Sequence, residues 1–126
     1  MTLNALLNAP DVFRAGIAGA PVTSWLNYDS IYTERYMGLP KENAEGYRNT
    51  ALAPRAGNLK AKLMLVHNYE DDNVLFQNSL QMTNALQNAG KFFEYMLYSQ
   101  KTHGVSGAAG DQMNASMVAF FERELK

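Results

Sequence analysis

The sequence predicts an α/β fold with about three parallel strands and flanking helices. Three observations carry that prediction. Short apolar runs of strand length occur at residues 13–22, 62–67 and 92–98. Segments with apolar residues at helical spacing lie between and beside them. The chain has 126 residues, 47% apolar and 18% charged, which is the size and composition of one globular domain. Strands that alternate with helices give a parallel sheet with right-handed crossovers.

The elements follow in order. Residues 1–10 (MTLNALLNAP) place Leu3, Leu6 and Leu7 at helical spacing, and Pro10-Asp11 ends that helix. No N-cap residue precedes it, so the chain reads as opening inside an amphipathic helix of a larger fold. It shows no basic leader and no small-residue cleavage site, unlike a secretory signal. Residues 13–22 (FRAGIAGAPV) are rich in Ala and Gly and suit a buried strand with closely approaching neighbours. Within residues 23–38, Tyr28, Tyr32 and Tyr36 recur every four positions, which predicts one helical face; Leu39-Pro40 stops the helix. Residues 41–58 are polar, with Pro54 and Gly57, and read as loop with a helical turn near 45–49. KLMLVH (62–67) is the clearest strand, followed by the polar loop NYEDDN (68–73). Residues 76–89 return to helical spacing, and Gly90 stands where a C-terminal cap belongs. FFEYMLY (92–98) is the third strand. A loop with three glycines, 99–110, leads to Asp111 as the cap of a last helix carrying Met113, Met117, Phe120, Phe121 and Leu125.

Composition excludes several classes of function. The 11 basic and 12 acidic residues nearly cancel and form no block of one sign, which argues against a nucleic-acid partner. No apolar run approaches the ~18 residues of a membrane span. With no cysteine there is no disulfide scaffold and no thiol nucleophile.

In a parallel sheet, ligands sit beyond the carboxyl ends of the strands. The loop after the second strand holds His67, Asp71, Asp72 and Asn73, and the loop after the third holds His103. Adjacent strands lie about 4.8 Å apart, so a carboxylate on one loop can orient a histidine on the next as a general base. On spacing alone, such residues are more often surface groups. A zinc site from His67, Asp71, Asp72 and His103 is chemically conceivable but lacks a repeated ligand spacing. His67, at a strand end, reads as a packed, hydrogen-bonded histidine, and Asp72 as a structural neighbour.

Three strings carry a resemblance that spacing cannot. APVTSWLNYDSIYTERYMGLP (20–40), DDNVLFQNS (71–79) and HGVSG (103–107) resemble the C-terminal half of the catalytic domain of the prolyl oligopeptidase family, in particular its dipeptidyl peptidase IV-like branch. The similarity runs over essentially the whole chain. It implies a partial α/β-hydrolase fold and a serine–aspartate–histidine triad, with Asp71 as the aspartate and His103 as the histidine. It also implies that Trp25, Tyr28 and Tyr32 wall a small pocket for proline or alanine, with Val22 and Val74 beside them. Asn73 then holds the carbonyl of the substrate's N-terminal residue, with Arg35 in support. No metal or other cofactor is implied. Two positions depart from the family's pattern. Its usual His-Gly is His67-Asn68 here, and its DDNVHF is DDNVLF, with Leu75 in place of a histidine.

The Gly-x-Ser-x-Gly elbow that carries the family's nucleophile is not among these residues; Ser24, Ser30, Ser79, Ser99, Ser106 and Ser116 lack such flanks. The expectation is therefore a C-terminal part of a peptidase catalytic domain, 1–126, cut just after the elbow and inactive by itself. Its implied partners are a peptide with Pro or Ala next to the scissile bond, the N-terminal half of the same enzyme, and a second copy in a homo-oligomer. Two rival readings are a non-catalytic α/β interaction module and another acyl hydrolase, an esterase or acylaminoacyl peptidase, on the same fold.

Overall fold

The structure is a computed structural model that describes residues 1–126. Its helices are α1 (Thr2–Asn8), α2 (Ser30–Met37), α3 (Ala44–Thr50), α4 (Gln77–Asn88) and α5 (Gly107–Glu124). Its strands are β1 (Ala15–Gly19), β2 (Lys62–Asn68) and β3 (Glu94–Tyr98), and short 3-10 turns cover Trp25–Asn27 and Ala53–Asn58. The strands form one parallel sheet in the order β1-β2-β3. No helix is long and apolar enough to cross a membrane.

Period-two alternation along β2 explains how the sheet is covered. Leu63 and Leu65 join Leu3, Leu6 and Leu7 of α1 and Met82 and Leu86 of α4 in the larger core. Met64 and Val66 join Tyr98 and Phe120, with Met113 and Met117 of α5, in the smaller one. Helices thus cover both faces, and β2 is buried from Leu63 to Asn68, as a near-continuous apolar parallel strand should be. Gly16 lets α1 approach β1, because a Cβ there would lie 2.9 Å from Leu6 Cδ1. Ala20, just past β1, holds φ at +38°, a left-handed turn that costs an L-residue about 1–2 kcal/mol. Its N–H donates to Val66 O at 2.8 Å, which ties that turn to β2.

Four local expectations are corrected. The strands are shorter than the apolar runs: β1 and β3 start at Ala15 and Glu94, and Phe92 is fully exposed. Tyr28 lies outside the tyrosine helix, in extended backbone, because Asp29 caps α2 by accepting from Tyr32 N at 2.8 Å. The polar stretch 41–58 is largely helical. Asn43 caps α3 through Gly46 N, buried Tyr47 anchors it, and Leu52, Ala56 and Leu59 bury the following 3-10 turn. Finally, α5 begins at Gly107 rather than after Asp111. Gln100 brackets the main chain of Ser106, its Oε1 accepting from Ser106 N and its Nε2 donating to Ser106 O, both at 2.9 Å.

Candidate active site

The carboxyl ends of β2 and β3 carry the two loops that hold the acid–base candidates. Asp71 is 6% exposed, and each of its oxygens is engaged. Oδ1 accepts from the backbone amides of Asn73 (2.9 Å) and Val74 (2.8 Å), which close the loop into a tight turn around the carboxylate. Oδ2 accepts from His103 Nδ1 at 2.9 Å across 32 residues of sequence. Burial alone pushes the Asp71 carboxyl up. The two amides and the His103 ring together outweigh it, so the group titrates below the ordinary aspartate value. The His103 side chain is about half exposed, and its Nε2 is free to face a reacting group. A cavity of about 320 Å³ lies beside it, lined by Ala20, Val66, His67, His103, Val105 and Met113 among others.

His67 is packed and hydrogen-bonded, as its place at a strand end predicts, and it also touches the acid. It is 1% exposed, with Nδ1 2.7 Å from Ser79 Oγ on α4. Its Nε2 lies 2.9 Å from Val74 O and 3.2 Å from Asp71 Oδ2. Two acceptors face Nε2, so that nitrogen carries the hydrogen, and the Ser79 hydroxyl donates to Nδ1. Both rings lie close to Asp71 Oδ2, His103 hydrogen-bonded to it and His67 at 3.2 Å, and Asp72 is exposed.

The aromatic residues gather on the other side of the Asp71 turn. Trp25 stacks on Tyr32 at 6.0 Å, and Tyr28 meets Trp25 and Tyr32 edge-on at 6.0 and 5.5 Å. Tyr28 Oη donates to Asn73 Oδ1 at 3.0 Å, joining the aromatic group to the acid loop and leaving Asn73 Nδ2 as a free donor. Arg35 makes no hydrogen bond to Asn73; its guanidinium lies 6.0 Å from the Tyr36 ring centre. Val22 lines a separate small cavity with Leu3 and Ala18, and Val74 is 5% exposed.

Sequence reasoning missed the residue that joins the pocket segment to α4. Asn78 is fully buried in the first turn of that helix. Its Oδ1 accepts from Thr23 N (3.0 Å) and Ser24 N (3.3 Å), and its Nδ2 donates to Asn27 O (3.3 Å). Thr23 Oγ1 returns a bond to Asn78 O at 2.8 Å. An Asn beside a Ser at the start of a helix carries no such signal in one sequence, because Thr23, Ser24 and Asn27 lie more than 50 residues away and only Leu75 O is near in sequence.

Comparison with known proteins bears on what this arrangement is. A model of the prolyl oligopeptidase family matches residues 1–126. Dipeptidyl peptidase 4 of Bos taurus is 47% identical over 104 residues, covering 80% of this chain and 14% of the bovine protein. Prolyl endopeptidase FAP of Homo sapiens is 43% identical over 122 residues, covering 94% of this chain and 16% of the human one. The crystal structure of Porphyromonas gingivalis dipeptidyl peptidase 4 superposes with a TM-score of 0.93 at 37% identity, over 97% of this chain and 18% of the other. The chain thus spans about one sixth of the length of these relatives.

Proposed function

The chain belongs to the prolyl oligopeptidase family, and from that premise we propose that residues 1–126 are the C-terminal part of a serine peptidase catalytic domain that carries its acid and base. The supporting observation is the 2.9 Å contact between Asp71 Oδ2 and His103 Nδ1 at the carboxyl ends of adjacent parallel strands. In this reading Asp71 holds the His103 hydrogen on Nδ1 and leaves Nε2 as the base. A serine outside these residues attacks the carbonyl carbon of the proline or alanine residue. His103 Nε2 takes the hydroxyl proton as the oxygen–carbon bond forms. It then gives that proton to the leaving amine as the carbon–nitrogen bond breaks. Water, deprotonated by the same imidazole, releases the acid from the acyl-enzyme.

The substrate class follows from the names of the relatives and from the aromatic group. Trp25, Tyr28 and Tyr32 wall the pocket for the proline ring or the alanine methyl, with Val74 behind. Asn73 Nδ2 donates to the carbonyl of the residue before it.

Kinetics of the full-length enzyme on dipeptidyl-proline chromogenic substrates test the reading. Asp71→Asn and His103→Gln should each lower kcat by about 10⁴-fold. The 126-residue chain by itself should not hydrolyse these substrates above the buffer rate. Full activity in either variant would instead favour a non-catalytic interaction module.

A further inference from the structure

Two consecutive residues end β2, and alternation sends their side chains to opposite faces of the sheet. His67 reaches Ser79 on the α4 face and lies 3.2 Å from Asp71 Oδ2. Asn68 turns to the α5 face, where it is 1% exposed and every bond it makes goes to one loop. Asn68 Nδ2 donates to Thr102 O at 2.8 Å and to Gly104 O at 2.9 Å, the two carbonyls on either side of His103. Asn68 Oδ1 accepts from Gln100 N at 3.3 Å. The amide therefore spans the loop from its start to the residue just past the imidazole.

The far end of that loop is held by Val105, packed against the smaller core, and by Gln100 on Ser106; the His103 turn itself has little else to define it. Residues 99–106 form neither helix nor strand, and Lys101–Gly104 are exposed. Tyr69 N donates to Tyr98 O at 2.7 Å, which fixes only the loop's root. Thr102 Oγ1 donates to Gly104 O at 2.7 Å, which narrows the turn around His103 without anchoring it to the sheet. Lys101 reaches Glu70 at 3.2 Å through two exposed side chains, a contact of little energy. The side-chain bonds of Asn68 tie the main chain of the His103 turn to the end of β2, beside the bond that His103 itself makes to Asp71.

We propose that Asn68 is a positioning residue for the base: its side-chain amide clamps the main chain on both sides of His103 and so holds the imidazole on Asp71. The role rests on the reading of Asp71 and His103 as an acid–base pair. An amide at this place does with three bonds what the loop's own backbone cannot do, since Thr102 O and Gly104 O face no main-chain donor of a neighbouring element.

The test uses the full-length enzyme with Asn68→Ala and, as a milder change on the exposed side of the same turn, Thr102→Val. A misplacement of about 1 Å at a reacting group costs on the order of 10²-fold in rate. Asn68→Ala should therefore lower kcat by about 10- to 100-fold with KM within about twofold of wild type. The rate of labelling by a fluorophosphonate should fall in parallel, because that reaction needs the same base. Thr102→Val should lower kcat by about 2- to 10-fold with KM unchanged. Circular dichroism and thermal melts establish the folded fraction. A kcat that falls only in proportion to that fraction, a rise in KM with kcat intact, or wild-type kinetics for Asn68→Ala would each overturn the proposal. If Asn68→Ala does not fold, Asn68→Ser, which cannot span both carbonyls, takes its place, and a wild-type kcat in that variant overturns the proposal. Asp71→Asn and His103→Gln run alongside: activity in those two sinks the functional reading itself, whereas their loss of activity beside an unaffected Asn68→Ala sinks only the role of Asn68.

Discussion

Asp71 is held as an anion by neighbours close in sequence and far from it. The amides of Asn73 and Val74 come with the turn, and the ring of His103 comes from the next strand's loop. The sign of the pH effect follows. The folded carboxyl titrates below its unfolded value of about 3.9. Its ionised form stabilises the fold fully above about pH 4, and that contribution is lost as the pH falls through the folded value. Asp71→Asn should cost about 1–3 kcal/mol at neutral pH and flatten the acid limb of stability below pH 4. Urea titrations at several pH values would check both, and an acid limb as steep as in wild type would contradict the assignment. The pairing of Asp71 with His103 was legible in the sequence through the DDNV and HGVSG strings. The packed, hydrogen-bonded state of His67 was also legible, from its place at a strand end; its closeness to Asp71 and the bonds of Asn68 were not, because they depend on which face of β2 each side chain meets.

At the scale of elements, the strand and helix order was legible because periods of two and 3.6 are local properties. Boundaries set by distant partners were not. The start of α5 is fixed by Gln100, six residues before Ser106, and no local cap marks it. The buried Tyr47 that anchors α3 sits in a polar stretch that carries no periodicity. Gly110 belongs to the same class. It looks like one of three loop glycines, yet it lies inside α5, where a Cβ would come within 2.9 Å of Val105 O. That oxygen is main chain, so it yields only by moving the His103 loop. Gly110→Ala should destabilise the fold by about 1–3 kcal/mol and lengthen the His103–Asp71 contact. Thermal denaturation measures the first, and a crystal structure of the variant the second. An unperturbed melt would mean that α5 shifts along its axis at little cost.

The molecule as a whole is a three-stranded slab whose outer strands each have one neighbour. The free edge of β1 is the more consequential, because Ala15–Gly19 (AGIAG) presents no charged side chain to discourage pairing. In the proposed enzyme a further strand of the same domain covers it. In the 126-residue chain the edge is bare, so the chain should associate at tens of micromolar and above. Light scattering over a concentration series up to about 100 μM reads this directly, and a monomer throughout would mean that the edge resists pairing. The geometry of β1 also dictates what kind of junction forms. Two copies that share this edge across a two-fold axis face each other with their chains running in opposite senses. Self-association therefore inserts an antiparallel ladder, with its alternating close and wide hydrogen-bonded pairs, into an otherwise all-parallel sheet. A strand donated by the rest of the domain would continue the parallel ladder instead. The two have different amide I infrared signatures, so vibrational spectroscopy distinguishes a chain that has found itself from one that has found its other half.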